Sequence, residues 1–153
     1  MKIKNFSFGK HDTYRGEIKF EIEKDILSIL TYHTDADIIY LLKGIIDSWQ
    51  DKKQLVQIPL EDEQSSYDIL LINYPPGDVL KIEIFQNAPW DVFDGGMEPI
   101  PAPIFFEFTD HHSFANLIYD EIKKQGEAFF DDPQFPYPEQ ELAELRKMMV
   151  GDG

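Results

Sequence analysis

From Glu17 to Glu23 charged and apolar residues alternate one for one, with Ile18, Phe20 and Ile22 set against Glu17, Lys19, Glu21 and Glu23. This is the period-two signature of a strand with one buried and one wet face. Ile3, Phe6 and Phe8 predict a shorter strand before it and Ile26 to Tyr32 a third, so the first 32 residues read as an antiparallel meander. The period then changes. Ile38, Leu42, Ile45 and Trp49 fall on one helical stripe that Ile39, Leu41 and Ile46 broaden, and so wide a stripe calls for a place deep against a sheet. Thr34, followed three residues later by Asp37, is the expected cap of this helix, where the dipole favours acids.

Leu55 to Leu60 and Tyr67 to Tyr74 read as strands, and Val79 to Phe85 returns as the partner strand after Pro75-Pro76-Gly77-Asp78. In that turn proline presets the backbone angle and glycine supplies a positive one. The segment Gln86 to Pro103 breaks the pattern with Pro89, Pro99, Pro101 and the pair Gly95-Gly96, and Ile104 to Phe108 is the last strand. A second helix is expected from Thr109 or Asp110 to about Phe130, turning Phe114, Leu117, Ile118, Ile122 and Phe129 to the core. Phe135-Pro136-Tyr137-Pro138 reads as an extended tether, and a closing helix follows with Pro138 in its first turn and Leu142, Leu145, Met148 and Met149 on one side. The order of strands, helix, strands and helices assigns the class α+β: a mainly antiparallel sheet of six or seven strands packed by two main helices and a short C-terminal helix. No repeat or linker divides the chain, so residues 1–150 are expected to form a single domain.

Composition narrows the class further. An apolar share of 42% and an aromatic share of 14% exclude a disordered acidic tail. The absence of cysteine excludes disulfides, thiolate zinc sites and cysteine nucleophiles. Met1-Lys2-Ile3-Lys4-Asn5-Phe6 lacks the apolar stretch of a signal peptide, and no apolar run approaches the roughly 20 residues that span a bilayer. The expectation is a cytoplasmic protein without membrane partners.

Charge adds the strongest functional indication. The net charge is -15, and between Gln54 and Ile122 thirteen acids face a single base, Lys81. A field of one sign focuses cationic partners, while direct nucleic-acid binding would need clustered Lys and Arg. Within this stretch Trp90, Phe93 and Met97 lie among Asp91 and Asp94, with Glu61, Asp62 and Glu63 as a neighbouring acidic corner. Large apolar anchors ringed by steering charges are the composition of a protein interface. The reading is a non-enzymatic protein that binds a basic protein and neutralises or chaperones it. In size, charge and lack of catalytic motifs the chain is similar to bacterial immunity proteins, which neutralise basic nuclease toxins.

The competing chemistry is a metal-dependent hydrolase. His33, Asp35 and Asp37 form an H-x-D-x-D string at a strand-to-helix junction, where imidazole and carboxylate groups could meet a divalent ion, with Asp110 or His112 added from the second helix. The same residues also suit a plain helix start. His112, Asn116 and Tyr119 share a polar stripe, and His111 sits at the core edge. Asp91, Asp94 and Glu98 do not follow the EF-hand spacing, and no phosphate loop, G-x-S-x-G or H-E-x-x-H occurs. No catalytic residue, metal or cofactor is therefore assigned.

Overall fold

The alternation at Glu17 to Glu23 becomes β2 (Gly16–Ile22), with Ile18 and Phe20 fully buried, between β1 (Ile3–Lys10) and β3 (Asp25–Thr31). Ile3 and Phe6 share the buried side although they are three residues apart, because the β1–β2 register shifts between Ile3 and Asn5. The extra residue of a bulge resets the alternation. In the computed structural model, which describes residues 1–61, 66–74, 79–86 and 102–151, the chain leaves this sheet through α1 (Thr34–Gln50). It then builds a second antiparallel sheet from β4 (Leu55–Glu61), β5 (Ser66–Tyr74), β6 (Val79–Gln86) and β7 (Phe105–Thr109), paired in that order. The α+β architecture is as read from the pattern, with seven antiparallel strands among the described residues. They divide into sheets of three and four because a helix, not a hairpin, joins β3 to β4.

Helix α1 is the spine of the molecule. Twelve of its residues are buried, and it packs on β4 and β5 on one side and on α2 (His111–Gln125) and α3 (Glu139–Gly151) on the other. Gly44 permits the close approach to β4, since a Cβ there would fall 2.6 Å from Ile58 Cδ1. Helix α2 begins at Asp110, whose carboxylate accepts from Ser113 N at 2.8 Å. It stops well before Phe130, the expected end, because Gly126 takes φ +73° and donates its N–H to Ile122 O at 3.0 Å. Only a single 3-10 turn, Glu127–Phe129, follows. One hydrophobic cluster joins Phe6, Phe20, Leu41, Ile45, Ile69, Ile82, Phe114 and Leu145, and so links both sheets and all three helices.

The two sheets also meet through a side chain. Glu107 of β7 is buried and accepts from the backbone N–H groups of Lys2 at 2.5 Å and Ile3 at 3.3 Å, on the free border of β1. The second sheet turns an apolar surface outward. Its register lines up Leu55, Ile72, Lys81 and Phe108 in one row and Gln57, Leu70, Glu83 and Phe106 in the next. No helix among the described residues is long and apolar enough to cross a membrane.

Candidate functional site

The H-x-D-x-D string lies where it was expected, at the start of α1, and its side chains are engaged with protein groups. His33, not Thr34, is the N-cap: its Nδ1 accepts from Ala36 N at 3.4 Å. With that nitrogen accepting, Nε2 carries the proton and donates to Asp132 Oδ2 at 2.8 Å. The hydroxyl of Thr34 instead meets Tyr14 O at 3.0 Å and Thr31 Oγ1 at 2.8 Å. Asp35 is buried and pairs with Lys10 Nζ at 2.8 Å, while Asp37 is buried in the same turn. Among the described residues, no group of three or more His, Asp or Glu side chains is arranged to hold a metal ion.

Lys10 closes a clasp across the molecule. From the end of β1 its ammonium reaches Asp35 on α1 and, at 2.7 Å, Asp131 on the segment between α2 and α3, while lying 4.5 Å from the centre of the Phe129 ring. Burial works against its charge, but the hydrogen bonds from Lys10 to Asp131 and Asp35 outweigh that and hold the lysine above its ordinary pKa. Lys10 in turn draws the Asp131 carboxyl below the usual aspartate value. Asp132 is also lowered, chiefly by the N–H of Gln134 and further by His33. Asp131 and Asp132 are thus held in their charged form.

Beside the clasp runs a line of rings. Tyr14 lies 5.2 Å from His33, His33 5.0 Å from Phe135, and Phe135 6.1 Å from Tyr40. Tyr14 and Tyr40 are exposed. The line enters a groove of about 430 Å³ with α1 as its floor, at Ile39, Tyr40 and Lys43, and the tether from Gln134 to Pro138 with the first turn of α3 as its wall. Glu139 and Glu141 stand on that wall. At the other end Asp12 is kept ionised by the backbone N–H groups of Arg15 and Tyr14. The tether holds its course because Phe130 packs on Tyr137 at 5.7 Å and Phe129 on Phe8 at 4.8 Å.

No family model, curated protein or solved structure matches this chain.

A second cluster joins α1 to α2. The ring of His111 stacks on Trp49 at 5.8 Å, and its Nε2 lies 3.1 Å from Ser48 Oγ, which also accepts from Asn73 Nδ2 at 3.2 Å. Both Ser48 and His111 are buried, so this Ser–His contact ties elements together and presents no nucleophile to solvent. His112 and Asn116 are exposed on the outer flank of α2.

The expected anchors Trp90, Asp91, Phe93, Asp94 and Met97 lie outside the described residues, as do Asp62 and Glu63. Glu61 ends β4, and its side chain is likewise outside them. The other acids of the central stretch that belong to the described residues do not share one surface. Asp68 and Glu83 stand on the outer face of the second sheet and Asp110 and Asp120 on α2, while Glu107 and Glu121 are buried. The groove and its line of rings were hidden in the sequence because the groove is lined by residues 39, 40, 43 and 134–141 and the rings beside it come from residues 14 and 33. Read from the sequence, the tether is only a connection; the signal that could have found the groove is the density of rings and prolines there.

Proposed function

We propose that this chain is a non-enzymatic acidic protein that holds a basic protein partner and neutralises or chaperones it, as an immunity protein does a nuclease-type toxin. What carries the reading is the open line Tyr14, His33, Phe135 and Tyr40, set among Asp12, Asp131, Asp132, Glu139 and Glu141 in a chain of net charge -15. Rings that are rigid and partly wet make low-entropy anchors, and Lys or Arg side chains of a partner gain from both ring faces and carboxylates. The long-range field speeds encounter with a cationic surface. In the same reading Trp90, Phe93 and Met97 are further anchors, with Glu61, Asp62, Glu63, Asp91 and Asp94 as steering charges.

The test is affinity capture with the full chain at low and high salt, with the isoelectric points of the retained proteins determined. Basic proteins retained at low salt, released by added salt and lost with Tyr40→Ala are the expected result. Truncating a central anchor costs about 2 kcal/mol or more, roughly a thirtyfold drop in affinity. Retention that shows no bias toward basic proteins, or that ignores both salt and Tyr40→Ala, refutes the reading.

A further inference from the structure

Among the described residues no helix lies on the outer face of the second sheet, although it carries some of the largest exposed apolar side chains of the molecule. Phe106, Phe108 and Tyr74 are 46%, 56% and 43% exposed, with Leu55 and Val79 beside them. Phe108 lies 5.9 Å from Tyr74 and 6.4 Å from Phe106, so the rings form one patch. In its two central rows the charges are Lys81 and Glu83, an ion pair at 3.2 Å. Lys81 also lies 5.3 Å and 5.4 Å from the centres of the Phe106 and Phe108 rings. Lys2 lies over the Phe106 ring at 5.2 Å and Asp68 stands in the adjoining row, so the described side chains of this face include two bases and two acids and balance in a chain of net charge -15. A basic partner finds little to attract it here. A surface of the same composition does not repel it.

We infer that this face is the interface of a homodimer, formed by a second copy laid sheet to sheet. A two-fold contact is self-complementary, so residue i meets residue j and j meets i. Lys81 of each copy then faces Glu83 of the other, and two ion pairs become a ring of four alternating charges inside an aromatic border. The area agrees. Aromatic side chains bury roughly 150–250 Å² each, so three half-open rings offer about 300 Å². The aliphatic neighbours and the rows between them bring the covered surface toward the roughly 800 Å² per partner of a stable interface. Outward faces of sheets pack in this way at about 10 Å separation with strands nearly aligned.

Sedimentation equilibrium of the full chain, from micromolar to submillimolar concentration, tests the inference. The expected mass rises toward twice 17.9 kDa, and added salt strengthens association by screening the repulsion between two acidic copies. That is the opposite sign to capture of a basic partner, so the two readings fail separately. Phe108→Glu is expected to weaken the dimer at least tenfold. Lys81→Glu and Glu83→Lys are each expected to be monomeric alone and to form a mixed dimer when combined, because only the mixture restores opposite charges across the axis. All three side chains point outward, and an unchanged thermal melt shows each variant folded. A chain that stays at 17.9 kDa throughout, a dimer untouched by Phe108→Glu, or a mixture that does not associate overturns the inference. The first outcome also covers the case in which another segment of this chain occupies the face.

Discussion

Replacing Lys10 by Met keeps the side-chain stem against Phe129 but removes the cation that serves Asp35. The Asp35 side chain is 1% exposed and that of Lys10 15% exposed, so water cannot take over the role of the ammonium. What Asp35 retains is the N–H of Asp132, at a long 3.4 Å. Breaking a buried pair on one side costs about 3–5 kcal/mol because a charge is left without compensation. The lower end, about 3 kcal/mol, applies here, since the second ion pair of Lys10, to Asp131, is solvent-screened and contributes little. For a chain of this size that is about 6–12 °C in Tm, or about 1–3 M in the urea midpoint. Urea unfolding followed by circular dichroism measures it, and the double variant Lys10→Met/Asp35→Asn provides the control. With both charges gone, the double variant is expected to recover to within about 1.5 kcal/mol of the parent. A loss below about 1 kcal/mol in the single variant, or a double variant no more stable than the single, refutes the assignment of the clasp as a buried pair.

The pKa directions at the clasp fix how stability depends on pH. Asp131 and Asp132 are lowered in the folded chain, so their contribution is complete above the ordinary 3.8 and is lost as pH falls through their folded values. Lys10 is raised, so its contribution is complete below 10.5 and is lost as pH rises through its folded value. The contribution of the clasp to unfolding free energy is therefore expected to be level between these limits and to fall outside them. An Asp131 carboxyl that titrates by NMR at or above 3.8 contradicts this. Gly44→Ala forces a methyl to 2.6 Å from Ile58 Cδ1 in a buried contact, and overpacking of this kind costs about 1–3 kcal/mol by chemical denaturation. Asp110→Ala removes the cap of α2, which Ser113 N meets at 2.8 Å, and is expected to cost about 1 kcal/mol, or about 2–4 °C by calorimetry.

Elements written by periodicity were legible in the sequence. The alternation around Phe20 and the stripe from Ile38 to Trp49 specify a buried face directly, because side-chain direction follows from the local period alone. Ends were less legible. Gly126 stops α2 through a backbone angle that only its neighbours' geometry reveals, and His33 displaced Thr34 as the cap because Thr34 found a better partner in Tyr14 O. Long-range chemistry was the least visible. Lys10 and Asp131 stand 121 residues apart, and no local pattern announces that they meet. A string such as His33, Asp35 and Asp37 looks like a ligand set until its distant partners, Asp132 and Lys10, are in place.

The carboxylate of Glu107 that receives the first N–H groups of β1 has a consequence for survival in a crowded cell. An unpaired strand border is a template on which foreign strands grow into fibrils, and the start of this one is already capped by an acid that no incoming backbone carbonyl can displace without stranding a buried negative charge. The molecule thereby closes one route to aggregation, at the start of one edge strand, with a single side chain.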